Sequence, residues 1–337
     1  MAAMNEPARP DALYPPSEPW MTDWLDVGDG HRLYYEQCGQ PEGAPVLFLH
    51  GGPGSGCSPR HRQLFDPARC RVVLFDQRGC GRSQPRGSVQ ANTSAHLVAD
   101  IERLRQQLGI ERWLVVGGSW GAGLALAYAA AHPAACAGLI VRGVFLGRPS
   151  DLDWFFRQAG ALLPEAWAAL AAQAPADARA DLLRWLHAGL QGEQALRYAS
   201  AWEAWEASLS QEQQVLPRTG LTPGEAAALV DKYRVQSHYL SHGCFWGETD
   251  LLARARGLAA VPSAILHGRL DTICRPQAAQ DLHQQLPGSR LQWVEGCGHS
   301  PFAPAMARAL AQAVAHHATH GDFTRWGRGL ATVEASP

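Results

Sequence analysis

The pentapeptide Gly117-Gly118-Ser119-Trp120-Gly121 sits where the apolar run Trp113-Leu114-Val115-Val116 gives way to a stretch of small residues, Ala122 to Ala131. A strand that turns sharply into a helix holds its turn residue in a strained conformation, and glycines on either side keep neighbouring chains clear of it. The Ser119 hydroxyl is thereby offered next to the positive end of a helix, where a nucleophile is useful. Such a serine needs a base to take its proton and a carboxylate to orient that base. Asp271 follows the apolar stretch Val261 to Leu266 through the turn His267-Gly268-Arg269-Leu270, and His299 follows Leu291-Gln292-Trp293-Val294 through Glu295-Gly296-Cys297-Gly298. Ser, Asp and His in that chain order form one of the known arrangements of the triad. Acyl transfer also requires backbone N–H donors aimed at the developing oxyanion. The loop His50-Gly51-Gly52-Pro53-Gly54-Ser55-Gly56, directly after Val46-Leu47-Phe48-Leu49, offers Gly52 N–H. Trp120 N–H, which follows the nucleophile, is the second candidate. Any one of these segments alone is equally a turn at a strand end. Four of them in this order, each behind an apolar strand, point to a serine hydrolase.

The elements that must position these residues are legible in the hydrophobic pattern. Strands are expected near 31–37, 45–50, 71–76, 112–117, 137–142, 261–267 and 289–294, alternating with helices near 94–108, 120–132, 275–286 and 302–317. That alternation predicts an α/β fold with a mostly parallel central sheet flanked by helices, whose ligands bind at the carboxyl ends of the strands. From Val144 to Leu258 the pattern changes to Ala/Leu-rich amphipathic runs with Trp154, Trp167, Trp185, Trp202, Trp205 and Trp246 and no convincing strand. The division expected is a first core part over 1–143, an inserted all-helical cap over 144–258, a second core part over 259–320 and a peripheral tail over 321–337. A cap above the site would exclude water and shape the substrate pocket.

Composition removes several function classes. Against 31 acidic residues stand 29 basic ones in 337 residues, without a basic stripe, so a nucleic-acid partner is not expected. The longest apolar stretches are of strand length or broken by charges, so no membrane span is expected. Met1 to Pro19 is rich in Pro and acidic residues and does not read as a signal peptide. The eight cysteines lack close C-x-x-C spacing, consistent with reduced thiols and a cytoplasmic location. Fourteen histidines include no H-E-x-x-H, and neither a metal nor a cofactor is expected. Cys80, Cys274 and Cys297 fall in loops expected near the site.

The segments His50 to Gly54, Asp76-Gln77-Arg78-Gly79-Cys80-Gly81-Arg82-Ser83, Gly117 to Gly121 and Gly296-Cys297-Gly298-His299-Ser300 together resemble the prolyl aminopeptidases, or proline iminopeptidases, of the α/β-hydrolase fold. The resemblance runs from about Tyr14 to about Ala315, and Asp76 to Ser83 is its most specific part. It implies a metal-independent serine exopeptidase that releases an N-terminal proline from small peptides. A free cationic amine is recognised most simply by carboxylates facing the pocket. The resemblance assigns that role to Glu206, in Ala201-Trp202-Glu203-Ala204-Trp205-Glu206. It also implies a pocket wall containing Arg142 and Phe145, with Phe145 as a surface for the pyrrolidine ring, and a contribution from the Gly51 loop.

Two positions depart from that family's pattern. Gln236 stands where a second Glu is usual, and Phe155 where a Tyr is frequent. An amide accepts a hydrogen bond from an amine without supplying charge, a difference of about 1 kcal/mol. Recognition of the amine is therefore expected to be weaker or broader. An esterase or amidase of the same fold, and a non-catalytic binding protein built on it, remain alternative readings. The sequence does not determine the oligomeric state.

Overall fold

The computed structural model describes residues 13–247 and 250–326. The first part of the acidic N-terminal segment (1–12) and most of the expected tail (327–337) lie outside the described residues.

Among the described residues eight strands form one sheet: β1 Met21–Gly28, β2 His31–Gly39, β3 Ala44–Leu49, β4 Cys70–Phe75, β5 Trp113–Gly118, β6 Cys136–Arg142, β7 Ser263–Gly268 and β8 Arg290–Val294. Their order is β1-β2-β4-β3-β5-β6-β7-β8. β1 and β2 pair antiparallel, as do β2 and β4, and every pairing from β4 to β8 is parallel. The parallel strands β4, β5, β6 and β7 are buried on both faces, which is why they read as mainly apolar runs rather than alternating ones, while edge strand β8 is only partly buried. Trp113 and Val115 of β5 join one core, and Leu114 and Val116 join the other. Helices Ser94–Gln107, Trp120–Ala131 and Pro276–Gln285 cover the first face, and helix Pro304–His320 covers the second. The sheet thus has the mostly parallel, helix-flanked form expected from the sequence.

β1 was not expected. It is an edge strand in which only Leu25 and Val27 are buried, so its hydrophobic signal is confined to two positions. Between β6 and β7 the described residues form helices and short 3₁₀ turns and no strand, the longest being Ala195–Gln211 and Pro223–Ser241. The latter begins with a capping box between Thr222 and Glu225.

Several tryptophans of this stretch act as staples, packing a large ring and donating the N–H to a carbonyl, whereas buried Trp202 Nε1 has no hydrogen-bond partner among the described residues. Trp205 Nε1 donates to Phe155 O at 3.0 Å, and Trp167 Nε1 to Phe156 O at 3.0 Å. Trp154 Nε1 donates to Thr272 O at 2.8 Å, and Thr272 Oγ1 donates to Leu209 O at 2.8 Å. The inserted helices are in this way tied to the loop that follows β7.

Candidate active site

Ser119 has φ 58° and ψ −125°, a left-handed backbone in a residue with a side chain, directly before helix Trp120–Ala131. Such strain persists only where the surroundings over-determine it. The surroundings here are close backbones. A Cβ on Gly117 would lie 2.1 Å from the Gly121 carbonyl oxygen, and one on Gly121 would lie 2.2 Å from that of Leu49. Ser119 N–H is held by the carbonyl of Arg142 at 2.9 Å. Trp120 is the first helical residue, where an N–H has no intrahelical acceptor.

Asp271 and His299 meet at the same sheet edge. His299 Nδ1 lies 2.7 Å from Asp271 Oδ2, while Asp271 Oδ1 accepts from the N–H groups of Ile273 at 3.0 Å and Cys274 at 2.9 Å. Burial pushes the Asp271 carboxyl up, but His299 and the Cys274 N–H work against it and the group lies below its ordinary value. An ionised Asp271 makes Nδ1 the protonated nitrogen and leaves Nε2 as the basic one.

The pair fits because Gly143, at φ 54°, has no side chain. A Cβ there would lie 3.3 Å from both Asp271 Oδ2 and the His299 ring. Buried His267 receives Val144 N–H on Nδ1 at 3.2 Å and approaches Cys274 O with Nε2 at 2.8 Å. Burial lowers its pKa, so it stays neutral and braces the Asp271 loop.

The loop after β3 is anchored from below. His50 is fully buried, and burial lowers its pKa despite Asp76 nearby. Its Nδ1 lies 3.0 Å from Gly51 O, and its Nε2 accepts Gln77 N–H at 3.1 Å. Gln77 Nε2 donates to His50 O at 3.1 Å, and Gln77 Oε1 accepts Trp120 Nε1 at 2.9 Å. Asp76 accepts from Cys57 N–H at 2.6 Å and from Arg82 N–H at 2.8 Å and Nε at 2.7 Å. Buried Arg78 pairs with Asp100. The segment from Asp76 to Ser83 is thus a brace beneath the loops.

A cavity of about 70 Å³ has Gly52, Ser119, Trp120, Phe145, Phe155, Glu206 and Gln236 on its walls. Glu206 comes from one inserted helix and Gln236 from the next. Gln236 Nε2 donates to Glu206 Oε1, and Tyr233 OH donates to Glu206 Oε2 at 2.6 Å. Lys232 Nζ is 3.3 Å from the same Oε2. Gln236 Oε1 is buried and has no hydrogen-bond partner among the described residues. It lies 3.6 Å from where a Cβ on Gly52 would be.

Two residues expected at the pocket stand elsewhere. Arg142 is not on the cavity wall. As the last residue of β6 it lies behind the sharp strand-to-helix turn at Ser119, the elbow, where a Cβ on Gly118 would meet its Nη2 at 2.3 Å, and its Nη1 donates to His299 O at 2.5 Å. Burial pushes its guanidinium down from the ordinary value while Asp271 opposes that shift. Gly51 packs against the elbow itself, 3.2 Å from Ser119 Cβ when a Cβ is placed on it.

The cavity also contains residues the sequence did not single out for it, among them Asp151, Phe156, Leu240 and Ile273. Of the three cysteines expected nearby, Cys274 lines the cavity within hydrogen-bonding reach of Ser119, and burial raises its thiol pKa far above normal. Cys80 and Cys297 are buried away from the cavity wall. Among the described residues no helix is long and apolar enough to cross a membrane.

A family model described as alpha/beta hydrolase fold matches residues 44–305. The chain is 45% identical over 305 residues to a proline iminopeptidase of Xylella fastidiosa (strain 9a5c), covering 88% of this chain and 96% of that protein. It is 40% identical over 304 residues to the proline iminopeptidase of Arabidopsis thaliana, covering 88% and 80%. Among solved structures it is similar to a proline iminopeptidase of Mycobacterium smegmatis, with TM-score 0.55 and 23% identity over 90% of this chain and 99% of that one. It also resembles a bromoperoxidase from Bacillus anthracis, with TM-score 0.61 and 18% identity over 88% and 99%. These structural likenesses speak to the fold.

Proposed function

Because the chain belongs to the α/β hydrolases and, within them, to the proline iminopeptidases, we propose that it releases N-terminal proline from small peptides with Ser119, His299 and Asp271 as the triad. The observation that carries this reading is the shared cavity, which has the strained Ser119 on one wall and Glu206 with the unpartnered Gln236 Oε1 on another.

The substrate's imino group is held by Glu206 and Gln236, with its pyrrolidine ring against Phe145 and Phe155. His299 Nε2 takes the Ser119 proton as Oγ attacks the prolyl carbonyl, and Asp271 stabilises the imidazolium. Gly52 and Trp120 N–H groups receive the oxyanion, a contribution of roughly 3 kcal/mol per donor in such sites. Collapse of the tetrahedral intermediate breaks the C–N bond, the imidazolium protonates the leaving amine, and a prolyl-Ser119 ester remains. Water, deprotonated by His299, hydrolyses that ester to proline and restores Ser119. Residues 144–258 serve as the cap that closes the pocket and, through the Trp154 and Thr272 bonds, steadies the Asp271 loop. A cytoplasmic setting suits the eight unpaired thiols.

The test is hydrolysis of proline 4-nitroanilide beside its N-acetylated form and alanine 4-nitroanilide, with Ser119→Ala as the blank. Cleavage of the unblocked proline substrate, abolished in Ser119→Ala, is expected. Preferential cleavage of the N-acetylated form would replace the aminopeptidase reading with an amidase.

A further inference from the structure

Both carboxylates on the cavity wall already carry partners of opposite charge inside the protein. Asp151 pairs with Arg148 at 3.1 Å and with Arg275 at 3.5 Å, so its charge is more than matched. Glu206 is bonded to Tyr233 OH and Gln236 Nε2, two neutral donors, and to Lys232 Nζ, a cation. Lys232 and Gln236 lie four residues apart on helix Pro223–Ser241 and therefore on one face of it, so the cation and the amide approach Glu206 together. Other charges nearby are engaged elsewhere: Glu203 pairs with Arg218, and Asp231 lies near Arg86 and Arg234. Lys232 Nζ also contacts Tyr233 OH at 3.1 Å, and both hold Glu206 Oε2, while Gln236 Nε2 bonds the other oxygen.

We infer that Lys232 is a specificity-determining positioning residue that counter-charges Glu206, so that the subsite for the substrate's amine reads a hydrogen-bond donor through Gln236 Oε1 more than it reads a positive charge. The inference rests on the proposed aminopeptidase function. Its physical basis is a competition. A substrate ammonium approaching Glu206 meets a carboxylate whose field is already offset by an ammonium 3.3 Å away. The cavity-wall acceptor that has no partner among the described residues is the neutral amide oxygen of Gln236. Burying that oxygen unsatisfied is costly, and a ligand N–H that reaches it relieves the cost whether or not the ligand is charged. Lys232 does not touch the substrate and acts through Glu206 alone.

The experiment measures KM and kcat for proline 4-nitroanilide, and Ki for cyclopentanecarboxanilide, a neutral ring of similar size with no donor at the amine position. The proteins are the wild type, Lys232→Met, Lys232→Gln and Lys232→Arg. Removing the cation in the Met and Gln variants is expected to lower the prolyl KM roughly threefold to tenfold. The Ki of the neutral anilide should stay within about twofold, and Lys232→Arg should restore the wild-type prolyl KM, since guanidinium keeps the charge. A prolyl KM that is unchanged or raised in both Met and Gln variants overturns the role of Lys232, as does a parallel change in prolyl KM and anilide Ki. Failure of the wild type to cleave the prolyl substrate at all refutes instead the reading on which the inference rests.

Discussion

Trp120 Nε1 donates to Gln77 Oε1 at 2.9 Å while Gln77 Nε2 donates to His50 O at 3.1 Å, so one buried amide joins the Ser119 elbow to the loop after β3. These two segments carry Trp120 and Gly52, whose N–H groups are the proposed oxyanion donors. Their separation decides whether both can reach one oxygen, and Gln77 fixes it with both ends of its side chain. Donors that bind only the developing oxyanion act on the transition state and not on the ground state. Gln77→Leu, close in volume and without polar ends, is expected to lower kcat about tenfold to a hundredfold while KM moves less than about threefold. Gln77→Glu keeps an acceptor for Trp120 Nε1 but loses the donor to His50 O, and an intermediate kcat is expected. Equal kcat in Gln77→Leu and the wild type would show that the two segments hold their spacing without this bridge.

Acid should destabilise the fold before it reaches the carboxylates. His61 is held down to about 4 from 6.5, chiefly by burial, with His50 and Arg142 adding to the effect. Its Nδ1 accepts Ser58 N–H at 2.9 Å, a bond that a proton on that nitrogen abolishes. Burial likewise lowers His50, His267 and His317. Each is neutral when folded and takes up a proton more readily when unfolded. Between about pH 6.5 and pH 4 the unfolded chain therefore binds more protons, and stability is lost as pH falls through that window. The thermal midpoint should decline steadily from pH 7 to pH 4.5. His61→Asn supplies an acceptor for Ser58 without a titrating group. It should begin lower, having lost the ring contact with Phe48 at 4.8 Å, yet decline less steeply. An identical slope in the variant would remove His61 from the account.

The elbow was legible in the sequence because its requirements are local. Gly117 and Gly121 are imposed by carbonyls that approach to within 2.1 and 2.2 Å of a Cβ position, and Asp271 and His299 each follow a short strand, the first buried throughout and the second carrying Leu291, Trp293 and Val294. What the sequence concealed depends on direction. Arg142 is the last residue of β6, and nothing in its position along the chain says that its side chain turns behind Gly118 to reach His299 O instead of facing the pocket. β1 was hidden because two buried residues do not make a period. Lys232 could have been noticed from its spacing of four before Gln236, but its partner Glu206 belongs to another helix and that meeting is a tertiary fact.

Gln236→Glu tests the wall of the cavity from the opposite side. The change removes the Nε2–H that Glu206 Oε1 now accepts and sets two carboxylates in contact, while Tyr233 and Lys232 continue to hold Oε2. Like charges this close resist joint ionisation, so the unliganded variant should be destabilised by about 1 kcal/mol, a fall of roughly 2 °C in the thermal midpoint. A substrate ammonium placed between the two carboxylates relieves that repulsion and gains a second charged acceptor, so the prolyl KM should fall by about fivefold. The gain should shrink as the pH is lowered and one of the two carboxylates takes up a proton. Stability and substrate affinity are thus expected to move in opposite directions, a pattern that simple loss of packing does not produce. If KM rises together with the loss of stability, Gln236 Oε1 does not face the amine, and the donor at that end of the cavity must be sought on another part of the substrate.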